Sequence, residues 1–119
     1  MTGDFVLNCK NIMKYSVFIN PMSQNSSASL QAYEFMQAIT KEKFKHINLF
    51  FYGYAVECAF FNDSPWKTLE HKDISLMACS RVAQSFKQKY EHHHENFIIV
   101  GLGQWMEATI DADKRIEFI

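Results

Sequence analysis

The chain has 119 residues, close to the common size of a single domain, and hydrophobic residues make up 48% of it. Its 12 basic and 13 acidic residues leave a net charge of −1 without a Lys or Arg block, which argues against direct binding of nucleic acid or an anionic membrane. No apolar run approaches the roughly 20 residues that span a bilayer, and the N-terminus, with Asp4, lacks the basic start of a signal peptide. We therefore expect one cytoplasmic domain with a substantial core.

The first half of the chain predicts two strands and one long helix. Residues 1–12 form an N-terminal extension to which we assign no function, and the domain covers 13–119. Tyr15–Ile19 is apolar and β-branched and predicts a buried strand. A serine-rich loop follows, in which Asn25, Ser26 or Ser27 can cap a helix over residues 28–39. His46–Tyr52 predicts the second strand.

The second half continues the alternation of strands and helices. Residues 54–62 predict a short helical or irregular stretch, and 63–65 a turn into a short helix at 66–70. Ile74–Ala78 predicts the third strand. The remaining predicted elements are a helix with Val82, Ala83, Phe86 and Tyr90 on one face, a strand at Phe97–Val100, a helix at Gly103–Ile110 and a strand at Arg115–Ile119.

This order of elements predicts the fold class. Near-continuous apolar strands that alternate with helices are typical of a parallel sheet covered on both faces. We predict a three-layer α/β/α domain of flavodoxin-like appearance, with a five-stranded, mostly parallel sheet. Functional residues of such folds lie at the carboxyl ends of the strands.

Cys79 is the strongest candidate for chemistry at such a strand end. It follows the third strand directly and opens the next helix, whose free N–H groups and dipole favour a thiolate. We expect an accessible thiol there that attacks sulfur electrophiles or carries a persulfide. An isolated cysteine is more often a small buried hydrophobe, and that interpretation stays open.

The other cysteines are weaker candidates. Cys58 lies among apolar neighbours and favours packing, and Cys9 belongs to the extension. Three cysteines at irregular spacing fit reduced thiols. Because the chain has no Cys-x-x-Cys motif, Cys79 would act as a single thiol that is resolved by a thiol on another chain.

Other strand-end motifs have simpler explanations than catalysis. Gly101 and Gly103 lack the third glycine of a dinucleotide fingerprint and favour a tight chain reversal. The serine-rich loop could cradle a phosphate or a flavin, although helix capping explains it more simply. A phospho-receiver would need a carboxylate where Cys79 stands. The adjacent histidines at 92–94 point in different directions and favour a solvated connector over a metal site.

At these residues the chain resembles the DsrE family of sulfur-relay proteins, most of all its TusD-like members. The similarity extends from Met13 to about Phe118 and includes the cysteine-bearing segment Ile74–Ala83. It also includes Phe50–Val56, where Ala55 replaces a family glycine, the segment Gly101–Ala108 and the closing strand Asp113–Phe118. The helix after the cysteine lacks the Arg-Arg-Gly found in many members, and the connector to the fourth strand is shorter than usual.

The resemblance implies a sulfurtransferase in which Cys79 carries a persulfide, without a metal or organic cofactor. It implies TusB-like and TusC-like sibling subunits in a heterohexamer, a TusA-like donor, a TusE-like acceptor and 2-thiolation of the wobble uridine of tRNA. It also implies the strand order 4-3-2-1-5. The alternatives are a protein of sulfur oxidation and a non-catalytic subunit that completes an oligomer.

Overall fold

The computed structural model describes residues 13–41 and 46–119, in which a five-stranded parallel sheet is flanked by helices. In chain order the elements are β1 (Lys14–Ile19), α1 (Ala28–Ile39), β2 (His46–Phe51), the 3-10 helices η1 (Gly53–Ala59) and η2 (Pro65–Thr68), β3 (Ile74–Cys79), α2 (Ser80–Phe86), β4 (Phe97–Val100), α3 (Leu102–Ala108) and β5 (Lys114–Phe118). The predicted strands and helices are therefore confirmed within a few residues. One detail is wrong: α2 ends at Phe86, so Tyr90 lies beyond the helix.

The strand order is β4-β3-β2-β1-β5, and every neighbouring pair is parallel. Parallel strands joined through a crossover follow a right-handed path. The chain steps in one direction from β1 to β4, so those connections cover one face of the sheet. The return from β4 to β5 runs the opposite way, so α3 lies on the other face. We call these the α1 face and the α3 face.

The two faces receive alternate residues of each strand. The register aligns Val17, Leu49 and Leu76 on the α1 face, where all three are buried. It aligns Phe18, Phe50 and Met77 in the next row, on the α3 face. The five carboxyl ends of the strands therefore share one edge of the sheet.

The α1 face holds the thicker part of the core. Trp66 of η2 is fully buried and meets Phe51 edge-to-face, with ring centroids 4.8 Å apart. Tyr33 of α1 meets the same indole at 5.1 Å. The N-cap residue of α1 is Ser27, whose side chain makes no capping hydrogen bond. The Oγ atom of Ser26, one residue earlier, accepts a hydrogen bond from the amide of Ala28 at 3.0 Å. Of the residues predicted to cap the helix, Ser26 therefore bonds its first amide, although the N-cap position belongs to Ser27.

Among the residues that the structure describes, the α3 face is covered by one seven-residue helix, α3, which has no buried residue. Its attachment is aromatic: the Trp105 ring lies 5.0 Å from Phe50 and 5.1 Å from Phe18, centroid to centroid. Thr109, just after α3, is buried and donates through its hydroxyl to the Trp105 carbonyl at 3.2 Å. Trp105 therefore joins this layer to the sheet through two aromatic contacts.

Candidate functional site

Cys79 is the last residue of β3 and the N-cap residue of α2. It pairs with Val100 of β4. Side-chain alternation places it on the α3 face together with Met77, and the same alternation makes Tyr52, just after β2, its neighbour on the other side. The Tyr52 ring stacks on Phe18 and Phe50, which lie on the α3 face. This contact confirms that Tyr52 also lies on the α3 face. The predicted strand-to-helix junction at the carboxyl edge is therefore present.

The expected accessibility of this thiol is wrong for the isolated chain, because Cys79 is only 4% exposed. It belongs to the buried core cluster, since β3 is an interior strand with neighbours on both sides. The Cys79 side chain also makes no capping hydrogen bond to α2, which has only seven residues. A reagent or a partner thiol therefore has little access to Cys79 while the covering structure stays in place.

Cys58 lies in η1 and is also buried, at 8% exposure. Desolvation is the main cause that raises the pKa of its thiol to about 11, and the nearby Glu57 charge adds to it. A hydrogen bond with the Ser29 side chain opposes this rise only in part. Cys58 is thus a protonated thiol at neutral pH, as its predicted packing role requires. Cys9 lies outside the described residues.

The sequence pattern did not predict the hydrogen bonds that join η1 to the segment after α2. The Glu57 Oε2 atom accepts hydrogen bonds from the Tyr90 hydroxyl at 2.6 Å and from Lys89 Nζ at 3.0 Å. Both bonds lower the pKa of Glu57, and the bond from Tyr90 has the larger effect. The partners stand 33 and 32 residues away in the chain, a separation at which no spacing rule applies.

The other strand-end motifs have structural roles. Ser27 Oγ accepts a hydrogen bond from Gln31 Nε2 at 2.8 Å, which again ties the serine-rich loop to α1. Gly101 has a φ of −80°, and a Cβ at Gly101 or Gly103 would meet open space. A single residue, Gly101, joins β4 to α3, so the connection is tight as predicted, but neither a positive φ nor a close approach requires glycine at either position. Positive φ occurs instead at Gly53, with φ +58°, where η1 begins.

The histidine run joins the connector before β4 to the end of η1. The His94 Nε2 atom lies 2.8 Å from the Phe61 carbonyl oxygen, and His93 Nδ1 lies 2.9 Å from the His94 carbonyl oxygen. Within the described ranges, no group of three His, Cys, Asp or Glu residues could hold a metal ion.

None of the helices in the described residues is long and apolar enough to cross a membrane.

The large exposed hydrophobic residues are another feature that the sequence pattern hid. In the described part of the chain they are aliphatic or methionine apart from Tyr54. Three of them lie on or beside the α3 face: Ile98, Leu102 and Met106. Ile98 was predicted in a buried strand, yet it is 54% exposed because α3 leaves the outer part of this face uncovered.

Comparisons with known proteins agree with this architecture. Residues 13–118 match the model of the DsrE/DsrF-like family. Among solved structures, the chain is similar to the ychN protein from E. coli, with a TM-score of 0.68 and 15% sequence identity. That likeness covers 90% of this chain and 99% of the other. No curated protein matches the chain.

Within residues 13–41 and 46–119, the fold is an α/β domain with a parallel sheet, and Cys79 lies at the carboxyl end of its strand β3. The family match extends over almost the whole domain. The chain belongs to the DsrE/DsrF-like family, which is implicated in sulfur relay. The family resemblance read from the sequence is thereby confirmed at this level.

Proposed function

We propose that the chain is a sulfur-relay subunit in the reducing cytoplasm that carries sulfur as a persulfide on Cys79. The main support is the position of Cys79 at the carboxyl end of β3, within a chain that matches a sulfur-relay family over residues 13–118. Cys58 is the weaker candidate for the carrier, because burial raises the pKa of its thiol to about 11 and makes it a poor nucleophile at neutral pH.

The transfer is a pair of thiol exchanges without net oxidation or reduction. The Cys79 thiolate attacks the outer sulfur of a donor persulfide, a new S–S bond forms, and the donor's S–S bond breaks to release its thiolate. An acceptor thiolate then attacks the same outer sulfur and releases the Cys79 thiolate. Because Cys79 is 4% exposed, docking of the donor must first open the structure that covers it.

The finer proposal concerns partners and destination. We propose a TusD-like role with TusB-like and TusC-like siblings in a heterohexamer, a TusA-like donor and a TusE-like acceptor. Sulfur then proceeds to the wobble uridine of tRNA. The net charge of −1 supports protein carriers over direct contact with tRNA. Co-purification of the siblings, and loss of 2-thiouridine in cells that lack this chain, test this proposal against a role in sulfur oxidation.

The test of the site is mass spectrometry after loading with a persulfide donor, in the presence of sibling subunits where they co-purify. The wild-type chain should gain one sulfur atom that Cys79→Ser does not gain. Cys58→Ser is the matched control and should load as the wild type does. Sulfur found on Cys58 or Cys9 would refute the assignment.

A second candidate function is that of a non-catalytic subunit that completes an oligomer. The burial of Cys79 and its missing capping bond favour this alternative. It predicts that Cys79 stays unreactive toward a small alkylating reagent in the assembled complex, and that Cys79→Ala assembles normally. Sulfur loading on Cys79 would exclude it.

A further inference from the structure

An open apolar groove with a volume of about 430 Å³ lies beside α3 on the α3 face of the sheet. The residues that line it include Phe18, Leu102, Trp105 and Met106. Met106 is 58% exposed and Leu102 39%, so the groove opens to solvent along α3. Its volume falls within the range of about 300–1,000 Å³ that is typical of small-molecule sites. The groove is therefore large enough to hold a small organic ligand.

Ser16 places a polar group in this apolar groove. It lies on β1, where it is aligned with Arg115 of β5, and it lines the groove. Ser16 is only 3% exposed, yet its hydroxyl forms no hydrogen bond with any residue in the ranges 13–41 and 46–119. A buried hydroxyl without a protein partner costs free energy. Ser16 is thus a hydrogen-bonding group that faces the groove and that the fold itself does not require.

Phe18 and Trp105 give the groove an aromatic surface. Their ring centroids lie 5.1 Å apart, and Trp105 also stacks on Phe50 at 5.0 Å. These contacts fix the orientation of both rings, and a planar aromatic ligand can pack against such rings. Ser16 and Phe18 are two residues apart on β1, so side-chain alternation places the hydroxyl and the ring on the same face of the sheet. A ligand with an aromatic body and one polar group would meet both.

The charges at the groove favour an uncharged ligand. Two charged residues line it, Arg115 and Glu117. The Arg115 guanidinium donates to the carbonyl oxygens of Thr109 and Ile110 at 2.9 and 3.1 Å, and it also interacts electrostatically with Asp111. Glu117 forms no ion pair within the described residues. An anionic ligand would therefore meet an unpaired carboxylate and a cation that is already engaged.

We propose that this groove binds a small, uncharged, planar aromatic molecule whose hydroxyl group bonds to the Ser16 hydroxyl and whose ring packs against Trp105 and Phe18. The proposal goes beyond the proposed function, because Cys79 does not line the groove. Ligand binding and sulfur loading can therefore be lost separately.

The probes that test this proposal are 4-methylphenol and p-xylene, which have nearly the same shape and differ by one hydroxyl group. Titrations followed by nuclear magnetic resonance measure both dissociation constants on the full chain, with its sibling subunits where they co-purify. Ser16→Ala should weaken 4-methylphenol binding about three- to tenfold, the contribution of one hydrogen bond, and should leave p-xylene binding within about twofold of wild type. Met106→Glu should weaken binding of both probes, whereas Leu30→Glu on α1, a matched control at 57% exposure, should change neither. The anionic 4-methylbenzoate should bind more weakly than 4-methylphenol.

Ser16→Ala also distinguishes a ligand-binding hydroxyl from a structural one. Because the hydroxyl has no partner in the described residues, its removal should leave the midpoint of urea unfolding unchanged or raise it, and Cys79 should load sulfur as in the wild type. A lower midpoint would mean that the hydroxyl is structural and would count against the proposal. The proposal is overturned if 4-methylphenol shifts no amide signal of Ser16 or Phe18, or if Ser16→Ala weakens both probes equally. Exclusion of the probes by a sibling subunit that covers the groove also overturns it.

Discussion

Replacing Trp105 tests whether α3 controls access to Cys79. Trp105 of α3 stacks on Phe50 and lies tilted against Phe18, so it joins α3 to the sheet. The α3 helix begins two residues after Val100, the partner of Cys79 on β4. We therefore expect Trp105→Ala to free α3 and to uncover the row that contains Cys79.

The size of the effect follows from the partial burial of the indole. Truncation of a fully buried Trp costs about 3–5 kcal/mol, and Trp105 is half-buried, so we expect a loss of about 2 kcal/mol in the free energy of unfolding. Urea unfolding should show a midpoint lower by about 1 M for a domain of this size. If Cys79 reacts through local opening of α3, its alkylation rate should rise by up to about thirtyfold.

Two control variants separate local from global effects. Trp105→Phe keeps an aromatic ring on the stack and removes an indole N–H that is buried without a hydrogen-bond partner, so its alkylation rate should stay near wild type. Phe35→Ala removes a contact with Phe118 that involves α1 and should lower stability without raising that rate in native buffer. Equal rates in Trp105→Ala and Phe35→Ala would refute the control of Cys79 by α3.

Three further predictions concern the surroundings of the site. Cys58 should resist alkylation in the folded chain until the pH approaches the raised pKa of about 11, and peptide mass spectrometry after labelling across a pH series measures this. Because the Tyr90 and Lys89 bonds lower the pKa of Glu57 in the folded state, their stabilisation is complete above the ordinary value of 4.5 and is lost as the pH falls through the lowered value. Acid titration of thermal stability should show this loss in the wild type and not in Glu57→Gln. Gly53→Ala should destabilise the fold by about 1–2 kcal/mol, because φ is +58° and the new Cβ would lie 3.3 Å from Asn20 Oδ1; a smaller loss in urea unfolding would contradict this.

The sequence alone was sufficient to predict the elements and the fold class. Apolar runs such as Tyr15–Ile19 and Phe97–Val100 have the composition of buried strands, and the 28–39 stretch has helical periodicity. These are local patterns, so they predict local structure. The strand order came from the family resemblance, since pairing between distant strands leaves no periodic signal.

The position of Cys79 at a strand-to-helix junction was also predictable, because both flanking elements are visible in the chain. Its burial was not, since that depends on tertiary packing around an interior strand, and only the register shows that β3 has neighbours on both sides. The Glu57–Tyr90 bond joins residues 33 apart, and no local rule relates them.

The exposure of Ile98 is a property that the local sequence could not predict. Local composition marks a residue as apolar, and on that basis a buried strand was the natural prediction. Whether an apolar residue is covered depends on the layer that packs over it, and here that layer is a seven-residue helix attached through Trp105. Composition and periodicity therefore determined which elements form, whereas long-range packing alone decided which thiol is buried and which apolar surface stays open.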